Sequence, residues 1–270
     1  MANTEYISSR QNKKIIEAVS LRDAKNVRET GLFFFEGKKL FAEAINRGVE
    51  FHSVFLREDC PAAELTARLD PSVPVYTVSN AVYEKISAEK SPEGVFCIAK
   101  TLDKYHKFAT IYYKQENFAD GARTLLAAVS VRDPGNLGSI IRSSAAFDCG
   151  GLILSDDCAN LYSNKTVRAS MGTVFDFPIL VTSDMAGSIR AMQAEGIRVY
   201  GAALQRNALP LTSLPRAERC CVLVGNEGHG LPEELLSLCD GTLFIPMSEK
   251  AESLNAAVAS AIVLWHRYTG

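Results

Sequence analysis

The fold class this sequence predicts is α/β, with a mostly parallel sheet in its C-terminal half, and three observations carry it. From Thr124 onward, short apolar runs alternate regularly with amphipathic segments. Those runs are almost unbroken in apolar residues, as strands covered on both faces are. A polar interval at residues 101–123 separates this region from a smaller α/β alternation before it, which divides the 270 residues into two domains and a linker.

Residues 1–100 form the first domain. Arg10, Lys13 and Lys14 open a helix that contains Ile15, Ile16 and Val19, and Arg22, Lys25 and Arg28 follow. Leu32–Phe35 reads as a strand, and Glu36-Gly37-Lys38-Lys39 leads into a helix with Leu40, Phe41, Ala44 and Ile45. Phe51–Leu56, Val73–Val78 and Gly94–Ala99 are further strands, with helices from about Pro61 and Ala81 between them. The basic residues Arg10, Lys13, Lys14, Arg28 and Lys38 beside aromatics have the composition of a phosphate-contacting surface. Composition alone favours a solvated amphipathic face for them, and a core position for the three phenylalanines.

In residues 124–270 the strands are Leu125–Val129, Gly151–Leu154, Phe177–Val181, Arg198–Ala202, Cys221–Val224 and Thr242–Ile245. Helices fall at about 137–148, 165–170, 184–195 and 233–239, and a last one runs from about Ser253 to Arg267. Ligands of such sheets bind outside the carboxyl ends of the strands, which directs attention to three loops.

The first loop is Val131-Arg132-Asp133-Pro134-Gly135-Asn136-Leu137-Gly138-Ser139-Ile140-Ile141-Arg142, a strand-to-helix turn with Asn136 or Ser139 as helix cap. It carries a cation, Arg142, near exposed backbone amides. In the second, Gly225-Asn226-Glu227-Gly228-His229-Gly230-Leu231-Pro232 follows a buried strand, and its glycines let backbone approach a ligand closely. The spacing fits neither a dinucleotide fingerprint nor a phosphate-binding loop ending in Gly-Lys, so both readings lose support. Glu227 is placed either to orient a cation such as Arg142 or simply to be solvated. The third runs from Ile245-Pro246-Met247 to Ser253-Leu254-Asn255, where Ser253 is the natural cap and Ala256, Ala257 and Ala259 allow close packing.

Composition bounds the rest. With 29 Lys and Arg against 31 Asp and Glu, no global basic field advertises nucleic acid, although a local patch remains open. Seven cysteines without a Cys-x-x-Cys pair suit buried thiols in a reducing cytoplasm, not a zinc site or a disulfide framework. The four histidines lack ligand spacing, so no metal is expected. The N-terminus shows no signal-peptide pattern, and no apolar run approaches the ~18 residues of a membrane span. The expected location is cytoplasmic, away from membranes.

Together the three loops resemble the signature motifs of the SpoU/TrmH family of RNA ribose 2′-O-methyltransferases, in the SPOUT superfamily. Asn136, Gly138 and Arg142 match the first motif; Gly225-Asn226-Glu227-Gly228-x-Gly-Leu231 matches the second; Ile245-Pro246-Met247 with Ser253-Leu254-Asn255 matches the third. Arg168–Phe175 also looks like the family's, and Phe35-Glu36-Gly37-Lys38 with Ser91–Val95 resemble its ribosomal-protein-like substrate-binding domain.

The resemblance implies a C-terminal domain tied in a trefoil knot, an exception to unknotted topology. It implies S-adenosylmethionine as cofactor, with S-adenosylhomocysteine as product, a homodimer, and RNA as substrate. By motif position Gly225, Ile245 and Leu254 contact the cofactor, with Leu204, Asn226 and Met247 as weaker candidates. The catalytic set it implies is Arg142, Asn136, Glu227, Ser253 and Asn255. The family pattern gives Arg142 the task of activating the hydroxyl, but a guanidinium stays protonated. We therefore expect Arg142 to grip the adjacent phosphate and polarise the hydroxyl, with Asn136 and Glu227 orienting it and Ser253 and Asn255 completing a polar wall. A ribosomal-protein-like first domain favours ribosomal RNA of the 23S type over transfer RNA, by analogy. The alternatives are a transfer-RNA methyltransferase, a catalytically silent RNA-binding relative, a nicotinamide enzyme, and a methyltransferase acting on a small molecule or protein.

Overall fold

The structure, a computed structural model, describes residues 5–60, 63–102, 124–215, 218–226, 228–248 and 250–268. All of the expected linker except Thr101 and Leu102, and Glu227 as well, lies outside the described residues. The chain begins with β1 (Glu5–Ile7), α1 (Lys13–Ser20), α2 (Ala24–Thr30), β2 (Leu32–Glu36), α3 (Lys38–Asn46) and β3 (Phe51–Arg57). It continues with α4 (Ala63–Thr66), β4 (Val75–Val78), α5 (Asn80–Ile86) and β5 (Val95–Lys100). After the interval come β6 (Leu125–Ala128), α6 (Pro134–Ala146), β7 (Gly151–Ser155), α7 (Asn164–Ala169), β8 (Ile179–Thr182), α8 (Met185–Ala194) and β9 (Arg198–Ala202). The last elements are β10 (Leu209–Pro210), β11 (Cys220–Val224), α9 (Glu233–Leu238), β12 (Gly241–Phe244) and α10 (Ala256–Tyr268).

Two compact units result, one of Met1–Leu102 with Asn160–Asp176, the other of Asp103–Ala159 with Phe177–Gly270. The first holds a mixed five-stranded sheet in the order β1-β4-β3-β5-β2, with β5 antiparallel to both of its neighbours. Asn12 and Asp23 cap α1 and α2 through their side-chain oxygens, and Gly31 ends α2 at φ +66°, a left-handed turn that favours glycine. Phe33, Phe34 and Phe35 are all buried, so the triplet is core. Residues 160–176 group with this unit for a physical reason. The Tyr162 ring lies 4.8 Å from Phe33, Phe175 lies 5.0 Å from Phe35, and Arg168 pairs with Glu89.

The second unit holds a seven-stranded sheet in the order β10-β12-β9-β11-β6-β7-β8, parallel at every pairing. Every residue of β6, β7 and β11 is buried, which is why these strands read as unbroken apolar runs. On one face Leu125, Ile153, Val199, Cys221 and Leu223 pack with Ile189 and Met192 of α8 and with Leu231. The two short strands β1 and β10 escape the sequence pattern because three and two residues are too few to show an alternation. Chain order and strand order diverge at β9, which lies beyond β11 and next to β12. The carboxyl ends of β12, β9, β11 and β6 therefore stand side by side, and so do the loops that follow them.

Candidate active site

Each loop is held by a different local device. Asp133 caps α6, its Oδ1 accepting from the Asn136 amide at 2.8 Å, with Pro134 in the first turn. The expected caps Asn136 and Ser139 are displaced because the helix starts three residues earlier, at Pro134; Ser139 instead donates to the Gly135 carbonyl. Ahead of the cap, Ser130 has φ +55°, a conformation uncommon outside glycine. It is fixed by three bonds: its amide donates to Ser155 Oγ at 2.8 Å, its hydroxyl to Asp157 at 2.6 Å, and its carbonyl accepts from Asn226 Nδ2 at 2.9 Å. Burial pulls the Asp157 carboxyl upward, but hydrogen bonds from Ser130 and Ser155 and the nearby Arg132 guanidinium outweigh it and hold the group below the usual carboxylate range.

The second loop is a tight bend closed by reciprocal bonds between Asn226 and Gly230. Asn226 also accepts from the Gly228 amide at 2.8 Å, so both ends of its side chain brace the loop. A Cβ on Gly225 would lie 2.3 Å from the Gly230 carbonyl, so any larger residue must push the bend open.

The third loop ends at α10, and its cap is Asn255, not Ser253. Asn255 Oδ1 accepts from the amides of Ala257 and Val258 at 2.9 and 3.3 Å. Its Nδ2 donates to Asn136 Oδ1 at 3.0 Å, joining the third loop to the first across 119 residues of chain. Ser253 stands two residues before the cap, exposed.

Between the loops after β9, β11 and β12 lies a cleft of about 540 Å³, within the range of small-molecule sites. All six residues expected at the cofactor line it: Leu204, Gly225, Asn226, Ile245, Met247 and Leu254. Ser253 lines it too, as do Gln205, His229 and Glu252, which the sequence did not single out. Leu204 is 66% and Met247 38% exposed, apolar surface left uncovered. Asn136 and Asn255 line a separate groove between α6 and α10. Arg142 lies on α6, exposed, about 9 Å along the axis from Asn136 and about 120° around it. Among the described residues no side chain pairs with its guanidinium.

Of the five basic residues expected to contact RNA, Arg10 and Lys14 have internal partners. Arg10 donates to the Ala81 carbonyl and pairs with Glu84, and Lys14 pairs with Glu5 at 2.6 Å. Lys13 and Arg28 are exposed, and Lys38 is half-buried. All seven cysteines are free, and burial raises the thiol of Cys149 to about 12 and that of Cys239 to about 11. Among the described residues no group of three or more His, Cys, Asp or Glu side chains is placed to hold a metal ion. No helix is long and apolar enough to cross a membrane among the described residues.

Residues 123–265 match the profile of the SpoU rRNA methylase family, and residues 12–97 that of an MRM3-like substrate binding domain. This chain belongs to the SpoU rRNA methylase family. Among its relatives is the 23S rRNA (guanosine(2553)-2′-O)-methyltransferase RlmP of Bacillus subtilis, 30% identical over 97% of this chain and 98% of the relative. The crystal structure of an AdoMet-bound rRNA methyltransferase from Sinorhizobium meliloti aligns at TM-score 0.85 and 29% identity, over 98% of this chain and 97% of the other. The SpoU methyltransferase AviRb of Streptomyces viridochromogenes, at 23% identity and TM-score 0.80 over 96% and 97% of the two chains, shares the fold. For this SpoU family member the matched profile spans all three loops described above.

Proposed function

We propose that this chain transfers a methyl group from S-adenosylmethionine to a ribose 2′-hydroxyl of ribosomal RNA, of the 23S type. The observation that carries the reading is the gathering of all six expected cofactor residues in one cleft at the carboxyl ends of β9, β11 and β12. The cleft suits the cofactor. Leu204 and Met247 offer uncovered apolar surface, and the Glu252 carboxylate on the wall suits a cationic ligand. Gly225, Ile245 and Leu254 would hold it, with Leu204, Asn226 and Met247 around them.

The cofactor supplies an electrophilic methyl; the chain supplies position and charge. An in-line displacement needs the hydroxyl oxygen held near the methyl and a route for its proton. Arg142, exposed on α6, offers a bidentate grip on the phosphate beside the target ribose and polarises the hydroxyl, and that phosphate takes the proton. The Asn255–Asn136 bond joins the first and third loops, with Ser253 at the cleft edge and Glu227 in the second motif.

The active form is a homodimer in this reading, and the chain is knotted and works in the cytoplasm, where its RNA substrate and reduced thiols belong. Lys13, Arg28 and Lys38 are the first unit's contribution to RNA contact; Arg10 and Lys14, already paired, contribute less. The deciding experiment is transfer of labelled methyl from S-adenosylmethionine onto unmodified total RNA, followed by mapping of the labelled ribose. Label at a single 2′-oxygen of large-subunit ribosomal RNA is the expected result. Label confined to transfer RNA, or none, overturns it.

A further inference from the structure

Beside the cofactor cleft, a second depression of about 400 Å³ opens between the loops that follow β6 and β11. It is lined by Ser130, Arg132, Asn226, His229, Gly230 and Pro232. Asn226, His229 and Gly230 line the cofactor cleft as well, so the two adjoin across the glycine bend. Neither Arg132 nor the imidazole of His229 has a part in the cofactor reading or in the Arg142 wall.

The chemistry of this depression is that of an anion site. The Arg132 side chain is 73% exposed, and His229 is exposed in the glycine bend. Among the described residues Asp157 is the carboxylate paired with the guanidinium, 3.5 Å from Nη2. Its two oxygens already accept from the Ser130 and Ser155 hydroxyls at 2.6 Å each. The pair therefore steadies Arg132 and leaves most of its five donors to solvent. The backbone beneath is rigid, with the Val131 carbonyl accepting from the Ala159 amide at 2.8 Å and the Ser130 carbonyl from Asn226. A mobile surface arginine would lose far more side-chain freedom on gripping a phosphate.

We propose that this depression binds a backbone phosphate of the substrate RNA close to the target ribose, gripped by Arg132 with His229 on the opposite wall. The inference rests on RNA being the substrate, as proposed above. It supplies a second phosphate contact on the same unit as the cofactor cleft, which fixes the strand's direction as well as its place.

The test uses the full chain, unmodified ribosomal RNA, and the variants Arg132→Ala and Arg132→Lys. KM for RNA is measured across a series of potassium chloride concentrations, and S-adenosylmethionine affinity by calorimetry. For Arg132→Ala we expect KM for RNA to rise about tenfold and the slope of log KM against log salt to fall by about 0.7 to 0.9, the loss of one phosphate contact. Cofactor affinity stays at the wild-type value, and Arg132→Lys keeps the wild-type slope. An Arg132→Ala slope equal to wild type, or an equal loss of cofactor affinity, overturns the phosphate site. Wild-type protein that methylates no RNA overturns the functional reading and this site with it; wild-type activity with an unchanged slope overturns this site alone.

Discussion

At the residue scale, the proposed site turns on two side chains of opposite kind, one absent and one long. Gly225 matters for what it lacks. A Cβ there would lie 2.3 Å from the Gly230 carbonyl and 2.6 Å from the Leu231 amide, and both belong to backbone that cannot step aside without opening the bend. Gly225→Ala should therefore lower S-adenosylmethionine affinity at least tenfold and cost about 1 to 3 kcal/mol of stability, read by calorimetry and denaturant unfolding. Binding at wild-type strength would mean the bend is not the cofactor's cradle. Arg142 matters for its shape. Lysine keeps the charge but loses the planar fork, so Arg142→Lys should lower kcat about a hundredfold and leave cofactor affinity unchanged. Methylation near the wild-type rate would remove the bidentate grip from the mechanism. A sequence shows a glycine among glycines, but only the fold shows which one has backbone pressed against it.

At the scale of elements, the caps separate what a sequence states from what it hides. Strands β6, β7, β9, β11 and β12 were legible to within a residue or two; β6, β7 and β11 are buried throughout, and β9 and β12 still carry short apolar runs. The starts of α6 and α10 were not. Asp, Ser and Asn are similar as caps, so Asp133 and Asn136, or Ser253 and Asn255, compete on nearly equal terms until the chain's path decides. The grouping of residues 160–176 with the first unit was likewise hidden, since it depends on Tyr162 and Phe175 meeting Phe33 and Phe35 far away in sequence. The observed cap yields a test that divides its two duties. Asn255→Ala removes both and should cost about 1 kcal/mol together with most activity. Asn255→Asp keeps the oxygen that accepts from Ala257 and Val258 but replaces the amide that donates to Asn136. It should unfold at nearly the wild-type denaturant midpoint yet methylate at least tenfold more slowly. Methylation by Asn255→Asp at the wild-type rate would reduce Asn255 to a cap.

At the scale of the whole molecule, the remaining question is what covers α10. Its inner face, Ala256, Ala257, Ser260, Val263 and Leu264, is buried within its own unit. The small residues Ala256 and Ala257 thus pack inward. The opposite stripe, Val258, Ala261, Ile262, Trp265 and Tyr268, repeats at three- and four-residue spacing and stays apolar, with Val258, Trp265 and Tyr268 at 47%, 54% and 59% exposure. A helix apolar on both faces is a helix meant to be buried on both. Val258, Ala261, Ile262 and Trp265 line the groove beside α6 that Asn136 and Asn255 also line, so a second copy seated there would cover the stripe next to the Asn136–Asn255 bond. In the proposed homodimer that juxtaposition would couple assembly to activity. Trp265→Arg puts a charge at the middle of the stripe, where pairing across a two-fold axis would set like charges close together. Sedimentation should show wild type as a dimer and the variant as a monomer at micromolar concentration. The monomer should retain its fold, because Trp265 is 54% exposed, but lose at least tenfold in methylation. A variant that remains dimeric, or a monomer with full activity, would detach this face from the enzyme's working form.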